Sequence, residues 1–214
     1  MDAGHGGRDP GATHFGLREK NFTLDIARRL STELRARGFA VQLTRDTDEF
    51  IPLSRRPAIA SDWDADLFVS IHINANKRRS VSGAEVYYPR ESVLSASAPL
   101  PSRLGPMDIA GDTPTVRRTL WDLILSQSRR QSVALASQIC RAFRTALGTP
   151  CRGVHGARFV VLKEARMPAV LVEVGFISNH AESEKLRTGA YRQQVAQTIA
   201  DALEAYARLA RPPT

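Results

Sequence analysis

Two stretches of this chain, DLFVSIHINA (66–75) and PAVLVEVGFIS (168–178), constrain its fold more than any other feature. Both are nearly continuous apolar runs bounded by Pro, Asp or Ser, short of helical length and rich in β-branched residues. Such runs read as strands buried on both faces, the pattern of a parallel sheet covered by helices. Each is interrupted by one titratable side chain, His72 in the first and Glu173 in the second. An unpaired carboxylate in a wholly apolar strand is costly to bury. Glu173 therefore requires a partner, a metal or a task. An ion pair with a buried arginine is its simplest structural explanation.

Around these strands the periodicity switches to helical. In NFTLDIARRLSTELRARGF (21–39), Phe22, Leu24, Ile26, Ala27, Leu30 and Leu34 recur at near-helical spacing, and Gly38 supplies the stop. LSRRPAIASDWDA (53–65), PTVRRTLWDLILSQSRR (114–130), QSVALASQICRAFRTALG (131–148) and YRQQVAQTIADALEAYARLA (191–210) read as further helices, with Pro114 suited to a first turn and Gly148 as a stop. AVQLTR (40–45), GAEVYYP (83–89) and FVVLKEA (159–165) read as additional strands. Strands alternating with helices predict an α/β chain, a three-layer sandwich with a mostly parallel central sheet and helices on both faces.

One region breaks the rhythm. Residues 90–113 are rich in Ser, Pro, Ala and Gly without a period. A loop this long inside a domain is usually functional or disordered. The formal charge is +8, dispersed along the chain. It fits attraction to a polyanion, but no nucleic-acid-binding motif accompanies it and aromatic residues are 7%. No nucleic-acid partner and no membrane span are expected, because no apolar run approaches ~20 residues. Cys140 and Cys151 are able to pair, and no CxxC spacing suggests a thiolate zinc site.

His5 lies in a glycine-rich loop, GHGG, and by itself carries little information. Together with His72 and Glu19 it offers two imidazoles and a carboxylate. That is the ligand set of catalytic zinc sites that leave one position open, with Glu173 available as general base. Each residue also has a plain structural explanation: a loop histidine, a hydrogen-bonded core histidine, and an acid complementing a helix dipole.

Taken in order, DAGHGGRDPGA, REKNFTLDIARRL, LTRDTDEFIPLSRR, ADLFVSIHINA, GAEVYY and PAVLVEVGFISNHAESEKL span nearly the whole chain. This series resembles the zinc-dependent N-acetylmuramoyl-L-alanine amidases of the type-3 class. The resemblance implies one Zn2+ held by His5, Glu19 and His72, with Glu173 as the catalytic glutamate and Asn74 lining the substrate groove. It implies peptidoglycan as substrate and a monomeric, single catalytic domain over 1–214 that works in the periplasm or outside the cell. Family members carry an apolar strand just before this first motif, which would place it, and any export signal, upstream of Met1. The glycines at 4, 6 and 7 are expected to let the backbone approach metal and glycan.

The segment 90–130 is similar to an insertion in the division-associated amidases of Gram-negative bacteria. In that group a helix covers the zinc groove until a LytM-domain activator displaces it. Glu91, Asp108 and Asp112 are the candidate plugging acids, and Leu120, Trp121, Leu123, Ile124 and Leu125 the candidate partner surface. A zinc peptidase or deacetylase would share the ligands but not the series of motifs. A wall-binding module with a degenerate site would lack them.

Overall fold

The computed structural model describes residues 1–90, 113–163 and 165–210. The strands are β1 (Asp2–Ala3), β2 (Thr13–His14), β3 (Leu17–Arg18), β4 (Phe68–Asn74), β5 (Ala84–Pro89), β6 (Cys151–Ala157) and β7 (Ala169–Phe176). The helices are α1 (Glu19–Ala36), α2 (Arg55–Asp62), α3 (Pro114–Thr145), α4 (Val160–Lys163), α5 (His180–Arg187) and α6 (Gly189–Ala210). Five strands form one sheet in the order β1-β4-β7-β5-β6, and β2 and β3 form a separate hairpin. All neighbours in the large sheet are parallel except β5 and β7. The two apolar runs thus lie side by side near the centre, as double-sided burial demands.

The layers follow from side-chain parity. Val69, Ile71, Ile73, Val86, Val170, Val172 and Val174 face α1, α3 and α6, forming the larger core with Ile26, Leu30, Leu135, Ile139, Phe143, Val195 and Ile199. The opposite face carries Phe68, Ala169 and Leu171 against the short helices α2 and α4, through Ala60, Val161 and Leu162. Among the described residues, α2 and α4 pack on the Phe68, Ala169 and Leu171 part of that face, and His72 and Glu173 rise from the same face.

Four local readings are corrected. AVQLTR is not a strand: its segment makes two hydrogen bonds with Met1 (Met1 N to Gln42 O, Met1 O from Thr44 N) and has no strand ladder among the described residues. FVVLKEA holds the short helix α4 instead, because Val161 and Leu162, adjacent in sequence, are both buried. The two helices read at 114–130 and 131–148 are one 32-residue helix, with Pro114 in its first turn and the Thr113 hydroxyl accepting from Val116 N. Strand β6 was missed. CRGVHGA has no apolar alternation because it is an edge strand, paired among the described residues with β5 alone.

Cys140, near the end of α3, is bonded to Cys151 at the start of β6, with Cα atoms 5.5 Å apart. Of the proposed partner surface on α3, only Leu123 is exposed; Leu120, Trp121, Ile124 and Leu125 are partly covered. Glu91, Asp108 and Asp112 lie outside the described residues.

Candidate metal centre

His72 and Glu173 are register partners on β4 and β7, so their side chains rise from the same face of the sheet. Glu19 reaches that face from the first turn of α1. Its Oε1 accepts from the backbone N of Ile73 at 2.9 Å and its Oε2 from Ala12 N at 2.8 Å. The acid at a helix start therefore does more than complement a dipole: two backbone donors hold it in place. His5 arrives from the loop after β1 with φ 60°, a left-handed conformation that is strained for a non-glycine residue. Backbone strain held at a polar cluster is a common mark of a functional site.

The three side chains converge. His5 Nε2 and His72 Nδ1 each lie 3.1 Å from Glu19 Oε1. The imidazole centroids are 4.9 Å apart, and one ligand atom from each residue falls within 4.8 Å of the others. Two neutral-capable imidazoles and an ionised carboxylate suit a borderline cation such as Zn2+. His5 Nδ1 donates to Asp9 Oδ2 at 2.8 Å, which turns Nε2 toward the cluster. This is the carboxylate–histidine relay that orients metal ligands elsewhere. The three residues fit a zinc ion.

Electrostatics support the same division of roles. Burial opposes ionisation of Glu19, but hydrogen bonds from His5 and His72 overcome it and hold the carboxyl well below the usual range. Burial also opposes charge on His5, yet Glu19 and Asp9 raise its pKa. Glu173 moves the other way. Burial, then the nearby charges of Glu19 and Glu85, push its pKa well above the ordinary carboxylate value. Its Oε2 is buried without a hydrogen-bond partner among the described residues. Their surroundings thus drive the two carboxyl pKa values apart, Glu19 down and Glu173 up.

Asn74 ends β4 beside this cluster. Its Nδ2 donates to Glu85 Oε2 at 2.8 Å and its Oδ1 accepts from Ala75 N at 2.7 Å. The glycines divide. Gly4 is a close-approach position: a Cβ there would stand 2.4 Å from the His72 ring. Gly6 and Gly7 instead pack against Glu49, Arg45 and Phe50, so their role is to seat the 45–50 loop rather than a ligand.

The motif reading gave no task to Arg45 and Arg56, both buried. Arg56 donates to Asp2 Oδ1 (2.9 Å) and to the carbonyls of Ala3 (2.7 Å), His5 (2.7 Å) and Ile51 (3.1 Å). Arg45 donates to Ala3 O, Gly4 O and Lys20 O. Together they clamp the loop that carries His5. Their sequence signal was the motif LTRDTDEFIPLSRR, to which the resemblance attached no residue role. A cavity of about 800 Å³ lies elsewhere, lined by Met1, Val41, Trp63, Leu67 and Tyr206, and holds none of the converging ligands.

Comparison with known proteins places this geometry. The Amidase_3 family, described as N-acetylmuramoyl-L-alanine amidase, matches residues 1–205. N-acetylmuramoyl-L-alanine amidase LytC of Bacillus subtilis is 37% identical over 97% of this chain, which spans 35% of that protein. N-acetylmuramoyl-L-alanine amidase AmiA of Escherichia coli is 37% identical over 96% of this chain, which spans 74% of it. Among solved structures, N-acetylmuramoyl-L-alanine amidase AmiC2 of Nostoc punctiforme superposes with a TM-score of 0.76 at 30% identity, covering 97% of this chain and 94% of that one.

Proposed function

The chain belongs to the type-3 N-acetylmuramoyl-L-alanine amidase family, and from that premise we propose that it hydrolyses, with zinc, the amide joining the lactyl group of N-acetylmuramic acid to L-alanine in peptidoglycan. The observation that carries the zinc-dependent reading is the convergence of His5, Glu19 and His72 beside the unpartnered carboxylate of Glu173. His5, Glu19 and His72 would hold the ion. When bound, zinc supplies Lewis acidity at the open side of the triad. Asp9 keeps the His5 ring turned toward it, and Arg56 and Arg45 keep the loop in place.

Glu173 does the proton work. It takes a proton from the attacking water as the new C–O bond forms. It then delivers that proton to the alanine nitrogen as the C–N bond breaks, leaving a muramic carboxylate and a free amino terminus. A carboxyl whose surroundings favour the protonated form is suited to the second half of this cycle. Asn74, fixed by Glu85, lines the groove with one amide hydrogen left to offer substrate.

Curated relatives are named for the wall amide they cleave, so a periplasmic or extracellular setting follows from the same reading. The Cys140–Cys151 disulfide supports it, because such bonds persist in oxidising compartments. Among the described residues no helix is long and apolar enough to cross a membrane. A role in daughter-cell separation, a monomeric state, and control by a LytM-domain activator acting on segment 90–130 complete the proposal. The exposed Val116 and Leu123 on the first half of α3 support a partner there.

The test is digestion of purified peptidoglycan by the wild type and Glu173→Ala, with and without chelator, read by mass spectrometry. Stem peptides beginning at a free L-alanine, absent with chelator and in the variant, are the expected result. Cleavage within the stem peptide would replace the amidase reading with a peptidase.

A further inference from the structure

Beyond the metal centre, the same sheet face carries a polar wall built on the Glu85 carboxylate, which reaches past Asn74 to residues with no part in the proton transfers. Glu85 on β5 is the register partner of Glu173 and stands one strand further from His72. Its carboxylate gathers three donors: Asn74 Nδ2 and Tyr87 Oη at 2.8 Å each on Oε2, and Arg152 Nε at 3.1 Å on Oε1. Two irregularities in strand register aim this wall. The shift between Ala84 and Glu85 makes Arg152 an extra residue on β6, and the shift between His72 and Asn74 brings Asn74 opposite Phe176. Bulges re-aim side chains and recur beside active sites.

Arg152 is consequently drawn back over β5 toward the site, with its guanidinium carbon 5.9 Å from the centroid of the Phe176 ring. Its side chain remains 44% exposed. Only Nε is engaged among the described residues. That leaves the Nη1–Nη2 edge, the fork that grips a carboxylate with two parallel hydrogen bonds, without a hydrogen-bond partner among the described residues. A guanidinium pinned through Nε and lying near a ring loses little further freedom on binding a ligand, which is why such a fork discriminates well.

We infer that Arg152, positioned by Glu85, is the specificity-determining residue that binds the free α-carboxylate of the second stem-peptide residue; this rests on the amidase reading. The distances agree. Neighbouring strands lie ~4.8 Å apart, so β6 is about 10 Å from β7 and Glu173. The second residue of the stem begins one residue beyond the scissile amide, and where it is linked onward through its side-chain carboxyl its free α-carboxylate lies within roughly 7 Å of that amide. The reach of the arginine side chain closes the remaining gap. The basic run Lys77–Arg79 beyond β4 is the rival cation source; it is exposed like Arg152, but among the described residues no carboxylate holds its side chains, and Arg79 lies over the Phe15 ring instead.

The experiment uses one disaccharide–tripeptide substrate in two forms, differing only in whether that carboxylate is free or amidated, with the zinc-loaded chain. The wild type is expected to cleave the free-acid form with a kcat/KM at least about tenfold higher, mainly through KM, as loss of a charge-assisted bidentate contact predicts. Arg152→Gln is expected to bring the two forms within about twofold of each other, Arg152→Lys to recover part of the preference, and Glu85→Gln to weaken it. Wild-type cleavage of both forms at equal efficiency, or an equal loss on both in Arg152→Gln, overturns the assignment and leaves the amidase reading standing. Failure of the wild type to cut either form at the lactyl amide overturns both.

Discussion

Replacing Arg56 by Met tests whether the clamp beneath the His5 loop is structural or incidental. Methionine keeps much of the volume and removes the charge and all four hydrogen bonds. Asp2, fully buried, retains its contacts with the Thr44 and Ser70 hydroxyls (2.6 and 2.5 Å) but loses its counter-charge. Removing one member of a buried ion pair costs about 3–5 kcal/mol, because the other is left uncompensated. That is a large share of the roughly 5–15 kcal/mol that holds a domain folded. The carbonyls of His5 and Ile51 also lose this donor, and Ala3 O keeps only the one from Arg45. Urea unfolding at pH 7 is therefore expected to show a loss of about 4 kcal/mol.

The double variant Asp2→Asn/Arg56→Met should lose about 1–3 kcal/mol less than the sum of the single variants. The pH dependence supplies an independent sign. In the wild type, burial disfavours the Asp2 charge, but Arg56 and the two hydroxyls outweigh it and hold the pKa below the ordinary value. Its contribution is present above about pH 4 and is lost as pH falls toward the depressed value. In the variant, burial without Arg56 penalises the charged form, and protonation relieves that penalty. The difference between the two proteins should thus shrink on acidification. A loss below about 1 kcal/mol, or one that does not change with pH, would refute the reasoning.

Gly4→Ala is expected to weaken zinc binding by at least about tenfold, measured by competition with a chromogenic chelator, because its Cβ meets the His72 ring; unchanged affinity would mean the ring moves freely. Zinc binding should release protons from His5, whose pKa is raised because Glu19 and Asp9 outweigh burial; calorimetry in two buffers of different ionisation enthalpy would show fewer protons released by Asp9→Asn. Breaking the Cys140–Cys151 link by the double serine variant should lower stability by about 2–3 kcal/mol, since it opens a loop of 11 residues; equal melting temperatures would assign the bond no stabilising role.

Much of the site was legible in the sequence because β4 and β7 are buried on both faces. In such strands every residue should be apolar, so His72 and Glu173 stood out without any knowledge of contacts. The amphipathic faces of α1 and α6 were legible for the same reason, since one core face repeats at helical spacing. Edges carry no such signal. Strand β6 has one neighbour among the described residues and little buried surface, so Arg152 gave no hint that a register shift would turn it toward the site.

What the sequence by itself determined was therefore the central strands, the flanking helices, and the identity of the residues that meet at the centre. What only the tertiary structure decided were relationships between residues far apart in the chain: Arg56 under Asp2, Asp9 behind the His5 ring, Glu85 holding Arg152, and the continuity of α3. Periodicity reports which side of a segment avoids water. It cannot report which buried charge is satisfied by which partner, because that depends on pairing and register set only when the sheet assembles.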